Sequence, residues 1–508
     1  MRPEAPETMT VDLAMAADDT SHGVAKHDRV WSAAAMDFVF VTPEIAPFSG
    51  SGATAEVSAA LPKAVRSLGH RVTVVTPLLA SIDPAERSLA RRLSKLDVRI
   101  GGKEHVLDVY DGRTAAGLDL IFLGHDELIR PAARLDAEGA DAVVARRVGL
   151  FAAAVARVIE TREITHDVLH VKDWPGALVL LSSDITVPTV LTVQDVAAQG
   201  VFDRSLASDL GLSAEGLRAS QQGGRLNILA GGLRRASHVT TVSAALARNA
   251  TTPRSGRGLE EVFAGLGDRL TGIPSGVDVS VWNPATDARL ASRFDPVSLT
   301  GKSRCKADLQ HRHGLPIRPE APLLGAIARP GETAGFDALA KVCRELLRND
   351  CQLVIAFDGP TEDPLFGAFA DLSTRFGDRL QIRPADEDGI HRLFGAADVF
   401  VVPSREDLGG LDPMIAQRYG AVPIVHRVGG LADAVVDCDA ELSTGSGFTY
   451  DSASTEELLA ALRRAVGAAH MAERFEALRR RVMRLDCSWE RGARIYERIF
   501  RDLALSVD

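Results

Sequence analysis

Three absences narrow the classes of protein to which this chain can belong. Its five cysteines form no CxxC pair and no zinc-type spacing, so we expect reduced thiols rather than disulfides or a metal site. No apolar run is long enough to span a membrane; the richest stretch, VGLFAAAVARVIE, is interrupted by Arg157 and is typical of a packed amphipathic helix. The net charge of −10 argues against nucleic acid or an anionic membrane surface as a partner.

The first 35 residues lack the marks of a targeting segment. They have neither a basic start nor a long apolar core, so they are not expected to be a signal peptide. Their scattered Pro, Asp, Thr and Ala indicate a disordered extension over residues 1–35. We expect the ordered chain to begin at Met36, where MDFVFVTPE is typical of a buried strand, and we expect a cytoplasmic location.

A further absence concerns the glycine-rich loop Ser49-Gly50-Ser51-Gly52-Ala53. Such a loop between a strand and a helix is typical of nucleotide-phosphate sites, because glycines let the backbone approach a ligand and the helix start offers free N–H groups. Yet no basic residue occurs from Ala46 to Pro62. Gly50 and Gly52 are therefore candidate phosphate contacts, and the source of the positive charge is the open question.

What the chain does contain is two successive sets of strands and helices. A length of 508 residues favours two or three domains. In the first set we predict strands at Phe38–Val41 and Val72–Thr76, followed by LDLIFL, DVLHV and PTVLTV. In the second we predict helices over 336–348 and 413–419 and strands at LLGAIAR, CQLVIAF, LQIRP, ADVFVVP and VPIVH. Strands that alternate with helices predict an α/β fold with two doubly wound parallel sheets, separated by a turn-rich stretch around 250–320.

The loops after these strands carry candidate binding residues, since open α/β sheets bind ligands beyond the carboxyl ends of their strands. Arg329 follows the strand 323–327 and is a candidate anion contact. The segment SREDLGGLDPMIAQRYG follows the strand 399–402, and we expect Asp412 to N-cap the next helix and Pro413 to begin it. RVGGLAD, at 427–433, repeats the order of strand, double glycine and helix. These loops together favour a nucleotide-diphosphate site in a cleft between two sheets.

Several longer segments carry a resemblance to a known family: NILAGGLRRASHVTTVSAALARNATTPRSGRGLEEVFAGLGDRLTGIPSGVDVSVWNPATD, HVKDWPGAL, TVQDVAAQGVF, VVPSREDLGGLDPMIAQRYGAVPIVHRVGGLADAV and SWERGARIYERIF. From Met36 to Leu503 the chain resembles the bacterial glycogen and starch synthases, retaining transferases that move glucose from ADP-glucose to a growing α-1,4-glucan. The resemblance implies the glycosyltransferase-B fold, in which two Rossmann-like domains face a cleft. It also implies a nucleotide sugar (ADP-glucose or UDP-glucose) and an α-glucan as partners, with no cofactor and no metal.

The resemblance further implies a division of the chain. Residues 36–250 would form the acceptor-side domain, and 251–320 a turn-rich connection with the start of the second domain. Residues 321–485 would form the nucleotide-sugar domain, and 486–508 a last helix that crosses back onto the first domain.

Individual residues receive roles from the same resemblance. Asp407 falls on the family's catalytic-region glutamate and is one methylene shorter, and Gln194 falls on a histidine near the transferred sugar. The implied acceptor or sugar contacts are Asp173, Asn227 and Asp195. The implied donor contacts are Gly50, Gly52, Arg329, Gly410, Leu411, Gly429 and Gly430.

Two positions that hold a phosphate-binding lysine in the family hold another residue here. Gly50 stands at the lysine of the family's first loop, Lys-Thr-Gly-Gly-Leu. Arg329 matches the arginine of the second loop, but Ala334 stands at the lysine five residues on. We expect a lysine placed at 334 to reach the cleft without disturbing the core. Lys172, which replaces the histidine of a family His-Asp-Trp motif, is the first candidate for an unrecognised cation.

Three functions remain open at this point. The first is an α-glucan synthase with weakened activity, supported by the loops, Arg329 and a carboxylate at 407. The second is a non-catalytic protein that keeps glucan or nucleotide binding and acts as a partner or regulator, supported by the joint changes at 50, 194, 334 and 407. The third is a transferase for a different nucleotide sugar. An oxidoreductase is not expected, because no GxGxxG with a downstream acidic residue is present.

Overall fold

The computed structural model describes residues 35–50, 52–129, 134–136, 141–161, 166–183, 185–406 and 409–505. The predicted extension over residues 1–35 lies outside these ranges except for Ala35, and so does Asp407. Ser51 of the first glycine-rich loop is also outside them.

The first sheet has ten strands, and seven neighbouring strands in it are parallel. At one edge, the strand Lys103–Arg113 pairs antiparallel with the last of these seven strands, and two shorter strands pair antiparallel with Lys103–Arg113. In spatial order, the strands are Leu270–Gly272, His238–Thr241, Thr189–Val193, Val168–Lys172, Asp37–Val41, Arg71–Pro77, Asp119–Gly124, Lys103–Arg113 and Ala90–Arg91, with Leu96–Ile100 paired to Lys103–Arg113. A small antiparallel sheet joins Gln221–Gln222, Arg225–Asn227 and Val201–Phe202.

The second sheet has six strands, all parallel. In spatial order, they are Leu380–Pro384, Gln352–Phe357, Leu323–Ala328, Val399–Val402, Val422–His426 and Phe448–Tyr450. The strand order changes direction beside Leu323–Ala328: the next two strands in the chain are added on one side of this strand, and the following three are added on the other side. Such a reversal is where ligands bind in a doubly wound sheet.

Helices cover the faces of both sheets. Those of the first half are Ala53–Ser67, Asp126–Ile129, Asp141–Glu160, Asp173–Ala177, Val179–Ser182, Ala214–Ser220, Ile228–Arg235, Ala244–Asn249, Pro253–Gly256 and Glu260–Ala264. Those of the second half are Thr300–Arg312, Phe336–Leu346, Pro364–Arg375, Glu387–Ala396, Leu411–Arg418, Gly429–Ala434, Thr455–Ala469, Ala472–Val482 and Glu490–Leu505. No helix among the described residues is long and apolar enough to cross a membrane.

Side chains of the first strand alternate between two cores, as the period of an extended chain requires. Phe38 and Phe40 pack with the helix Ala53–Ser67, whereas Val39 and Val41 pack with the helix Asp141–Glu160. The last helix covers the first of these faces: the ring centroids of Phe500 and Phe38 lie 4.6 Å apart. The C-terminal helix is thus held by the first sheet although it follows the second in the chain.

The α/β fold with two parallel sheets is confirmed, and the predicted strands occur within a residue or two of their expected bounds. The antiparallel edge was not predicted. It is a hairpin in which Gly101 and Gly102, both with positive φ, connect Ile100 to its partner Lys103. Paired glycines are a hairpin signal in sequence, and VRIGGKEHV contains it. The first sheet also extends to Gly272, beyond the boundary predicted at residue 250, because a three-residue strand in a turn-rich stretch leaves little pattern.

Candidate active site

A cleft lies at the carboxyl ends of the strands and contains two adjoining cavities with volumes of about 550 and 600 Å³. By the parts of the donor that we propose for them below, we call them the sugar-side cavity, which includes Asp173 and Gln194, and the nucleoside-side cavity, which includes Trp282 and His391. The residues that line both cavities are Gly50, Gly52, Ala53, Arg329, Asp358, Leu411 and Asp412. Four of the predicted donor contacts therefore lie where the two cavities meet.

The first glycine loop presents backbone rather than charge to this junction. Gly50 has φ +76°, and a Cβ atom at this position would lie 2.5 Å from Oε2 of Glu44. Gly52 is the N-cap of the helix Ala53–Ser67. Because glycine has no side chain, the first N–H groups of this helix receive no hydrogen bond from an N-cap side chain. Glu44 thus occupies the space that a side chain at position 50 would need.

Three predicted residues meet in the sugar-side cavity. Asp173 has a left-handed backbone (φ +51°), and its Oδ1 accepts hydrogen bonds from the backbone N–H groups of Gln194 at 2.7 Å and Asp195 at 3.4 Å. Burial raises the pKa of Asp173 to about 6, against the lowering effect of Lys172. Gln194 is buried, and its side-chain oxygen has no hydrogen-bond partner among the described residues. The arrangement gives the cavity a carboxyl group and an amide on adjacent strand ends.

Arg329 lies at the junction, directly after the strand Leu323–Ala328. Its Nη1 donates to Oδ2 of Asp412 at 2.8 Å, and its Nε donates to Oδ2 of Asp358 at 3.2 Å. Burial alone would lower the pKa of Arg329, but the carboxylates of Asp412 and Asp358 raise it above the usual value. The one cation that sequence analysis placed in the donor site is therefore already paired with two carboxylates.

The helix after the strand Val399–Val402 starts two residues earlier than predicted. Its N-cap is Gly410 (φ +65°) and its first residue is Leu411, so Asp412 and Pro413 are the second and third helical residues. The prediction that Asp412 is the N-cap is wrong, because the left-handed glycine already turns the chain into the helix. Gly410 has no side chain that could cap the helix, so a second helix start without a side-chain N-cap lies at the junction.

The nucleoside-side cavity has an ordered wall of rings. Trp282 and His391 stack with centroids 4.1 Å apart and planes at 11°. Nδ1 of His391 lies 2.7 Å from Oδ2 of Asp287, and the hydroxyl of Tyr419 donates to the same oxygen at 2.6 Å. Burial lowers the pKa of His391, against the raising effect of Asp287. This network holds the stacked rings of Trp282 and His391 in place at the wall of the cavity.

Three predicted contacts do not line these cavities. Asn227 uses its side chain inside the protein: Oδ1 accepts from the backbone N–H of Ala230 and Nδ2 donates to Oε1 of Gln199. Gly429 and Gly430 start the helix Gly429–Ala434, and Leu431, one residue on, is the residue of this loop that lines the sugar-side cavity. Asp407 lies outside the described residues, so its role stays a prediction.

Sequence reasoning missed most of the charged residues that line the cleft, among them Glu44, Asp358 and Arg134. Glu44 and Asp358 each follow a buried strand, so the strand-end rule that found Arg329 could have found them. Burial raises the pKa of Glu44. Arg134 also lines the sugar-side cavity, where its Nε lies 3.2 Å from Oδ1 of Asp136. No pattern in the sequence around Arg134 marks it.

Two expectations about positive charge are not met by the geometry. Lys172 is buried, and its Nζ donates to the carbonyl oxygen of Thr54 at 3.0 Å, behind the cleft. Burial lowers the pKa of Lys172 to about 8. Ala334 is only 6% exposed and packs in the core of the second domain, so a lysine there would have to leave that core.

The cleft is acidic overall. Among the described residues that line its two cavities, three carry guanidinium groups: Arg134, Arg289 and Arg329. Eleven carry carboxyl groups: Glu44, Glu56, Asp136, Asp173, Asp195, Asp278, Asp287, Asp358, Asp386, Glu387 and Asp412. The described residues contain no group of three or more His, Cys, Asp or Glu side chains that could hold a metal ion.

Comparisons with known proteins cover nearly the whole chain. Residues 37–265 match the family described as starch synthase catalytic domain, and residues 309–481 match glycosyl transferases group 1. A glycogen synthase from Anaeromyxobacter sp. (strain Fw109-5) is 36% identical over 482 residues, which span 92% of this chain and 100% of that protein. Soluble starch synthase 1 from Solanum tuberosum is 31% identical over 95% of this chain and 81% of its own length.

A solved structure agrees over the same length. The catalytic domain of starch synthase IV from Arabidopsis thaliana, bound to ADP and acarbose, is 26% identical, with a TM-score of 0.86 over 93% of this chain and all of that chain. The fold and the site define a glycosyltransferase with the glycosyltransferase-B fold, as predicted. More particularly, the chain belongs to the glycogen and starch synthase family, and it is a hexosyltransferase of that type.

Proposed function

We propose that this protein transfers glucose from a nucleotide-glucose, with ADP-glucose preferred, to an α-1,4-glucan with retention of configuration, and that it does so slowly. We also propose that it acts in the cytoplasm. The observation that supports the proposal is the meeting of two cavities at Gly50, Gly52, Arg329 and Leu411. A nucleoside on one side and a sugar on the other would place the connecting diphosphate at this junction.

The residues around the sugar-side cavity suit the reacting end of the donor and the acceptor. Asp173, Gln194 and Asp195 lie on adjacent strand ends, where hydroxyl groups of glucose could find both donors and acceptors of hydrogen bonds. Asp407 remains the proposed catalytic-region carboxylate. Gly410 and Leu411 would place the start of their helix against the donor.

Slow transfer follows from the chemistry of the leaving group. Breaking the glucosyl–phosphate bond leaves negative charge on the diphosphate, so donors of charged hydrogen bonds act mainly in the transition state. Each is worth roughly 1.5–3 kcal/mol, and the family lysines expected at positions 50 and 334 are glycine and alanine here. Their loss corresponds to about 3–6 kcal/mol, or roughly 10²- to 10⁴-fold in rate, although such losses are not additive.

One observation supports the second candidate, a non-catalytic binding protein. Arg329, the remaining arginine of the phosphate loops, is paired with Asp358 and Asp412, so the junction carries a net negative charge. A neutral glucan would not be repelled by such a site, whereas a nucleoside diphosphate would.

The test is glucose incorporation from labelled ADP-glucose and UDP-glucose into maltoheptaose or glycogen. We expect slow incorporation with ADP-glucose preferred, and the added glucose should be released by an enzyme specific for α-1,4 linkages. No incorporation from either donor, together with measurable binding of maltoheptaose, would favour the binding protein. Incorporation from a different nucleotide sugar alone would favour the third candidate.

A further inference from the structure

Asp412 faces the guanidinium group that a donor diphosphate would need. Its Oδ2 accepts from Nη1 of Arg329 at 2.8 Å, and the side chains of Asp412 and Arg329 are 22% and 28% exposed. Both residues line both cavities at the junction. Oδ2 of Asp358 accepts a hydrogen bond from Nε of the same arginine at 3.2 Å. Two of the directions in which Arg329 can donate are therefore already occupied by carboxylates of the protein.

The backbone holds Asp412 in this position. It is the second residue of the helix Leu411–Arg418, and the N-cap glycine at 410 supplies no competing side chain. A carboxylate in the first turn of a helix is stabilised by the helix dipole. The guanidinium group of Arg329 and the start of this helix are two features that attract a phosphate, and Asp412 lies at both.

The other guanidinium groups of the cleft do not replace Arg329. Arg134 is paired with Asp136, and Arg289 is paired with Glu387 and with Asp388 at 3.1 Å. Each described guanidinium group that lines the cavities thus has a carboxylate partner within the protein.

We propose that Asp412 is a specificity-determining residue that competes with the donor's diphosphate for Arg329. This inference rests on the proposed function, since it assumes that the junction receives a nucleoside diphosphate. Its consequence is selective: the carboxylate weakens binding of the diphosphate and leaves binding of an uncharged nucleoside unchanged.

The test compares the affinity of the full chain for ADP and for adenosine by calorimetry, with the Asp412→Asn variant beside the wild type. Asparagine keeps the shape of the side chain and removes its charge. We expect ADP to bind at least tenfold more tightly to the variant, equivalent to about 1.4 kcal/mol, and adenosine to bind equally to both proteins. A second variant, Asp412→Ser, should give the same direction if the first is poorly folded.

Asp308→Asn is the matched control. Asp308 also pairs with an arginine, Arg312, at 2.7 Å, but it lies on the helix Thr300–Arg312 and is not among the described residues that line the cleft. This control should leave ADP affinity unchanged, because it alters net charge alone. Equal tightening in the control would overturn the proposal.

Other outcomes also overturn it. Unchanged or weaker ADP binding to Asp412→Asn would show that Asp412 does not compete for Arg329, and equal tightening of adenosine would show an effect unrelated to phosphate. No ADP binding by either protein would show that the junction is not a diphosphate site. The assay contains no glucan and needs no turnover, so tighter ADP binding without glucose transfer would refute the proposed function and leave this inference standing.

Discussion

Arg329 is the residue on which the proposed donor site depends most. It follows a central strand of the second sheet, lines both cavities, and has two carboxylate neighbours. Replacing it would remove the proposed phosphate contact and would also leave Asp358 and Asp412 without the cation between them. The penalty on an anionic ligand should therefore exceed the loss of a single hydrogen bond.

We predict that Arg329→Ala weakens binding of ADP-glucose at least tenfold, measured by calorimetry, while the melting temperature changes little. The second part is expected because the three side chains are each more than a fifth exposed, and such pairs contribute little to stability. Arg312→Ala, at the exposed pair with Asp308, is the control. Equal affinity of wild type and Arg329→Ala would mean that this loop does not contact the nucleotide sugar.

Asp173 offers a second prediction at this scale, through pH. Burial raises its pKa from 3.8 to about 6, so the folded protein holds a proton here that the unfolded chain releases. Its contribution to stability is therefore fullest below about pH 4 and is lost as the pH rises through 6.

Asp173→Asn cannot titrate, and its amide oxygen can still accept from the N–H of Gln194. Relative to the wild type, this variant should gain about 2 kcal/mol in unfolding free energy between pH 4 and pH 7.5. Urea unfolding at the two pH values measures the difference. A stability difference that is constant with pH would contradict the raised pKa.

At the scale of elements, the first glycine loop is a strand-to-helix turn that contains no basic residue. Gly50 turns the chain with a positive φ. Gly52, with an extended backbone (φ −101°), is the N-cap of the helix Ala53–Ser67. The carboxylate of Glu44 fills the space above Gly50. A lysine placed at 50 would therefore require both a strained backbone and a displaced Glu44.

The two glycines make a matched pair of substitutions. Gly50→Ala should lower the unfolding free energy by about 1–2 kcal/mol, because alanine at a positive φ is strained and its Cβ meets Glu44. Gly52→Ala should cost less, roughly 0.5 kcal/mol, since nothing lies within 4 Å of its Cβ and only the N-cap preference for glycine over alanine is lost. Urea unfolding of both variants measures the contrast, and equal losses would refute the assigned turn geometry.

Elements were more predictable than the contacts between them. Buried strands such as Leu323–Ala328 and Val399–Val402 were predicted from apolar runs, and the strand-end rule then placed Arg329 in the cleft. The pairing of Arg329 with Asp358 and Asp412 was not predicted, because those partners lie 29 and 83 residues along the chain on separate loops. The direction of the Lys172 side chain was not predictable either. Its position in the sequence suggested a cation in the cleft, but its Nζ donates a hydrogen bond to the carbonyl oxygen of Thr54.

At the scale of the whole molecule, the last helix connects the second half of the chain to the first sheet. It follows the second sheet, yet the hydroxyl of Tyr496 lies 3.1 Å from the Oγ1 atoms of Thr192 and Thr240, on two strands of the first sheet. Nε2 of His70 lies 3.2 Å from Oε1 of Glu497. The two halves are therefore expected to unfold together.

The composition of residues 1–35 leads to the prediction that they contribute little to folding. A chain that begins at Met36, where the first strand follows directly, should melt within a few degrees of the full-length protein in calorimetry. A loss of ten degrees or more would show that the extension packs on the folded part.

The initial rate of transfer from ADP-glucose to a glycogen primer decides whether the acidic cleft transfers glucose, as we propose. The wild-type chain and Arg329→Ala should be measured at equal concentration and saturating primer. We predict slow, primer-dependent incorporation by the wild type and a further loss of at least tenfold in the variant. Absence of incorporation by the wild type would refute glucose transfer by this cleft, and an equal rate in both proteins would refute the role of Arg329 in it.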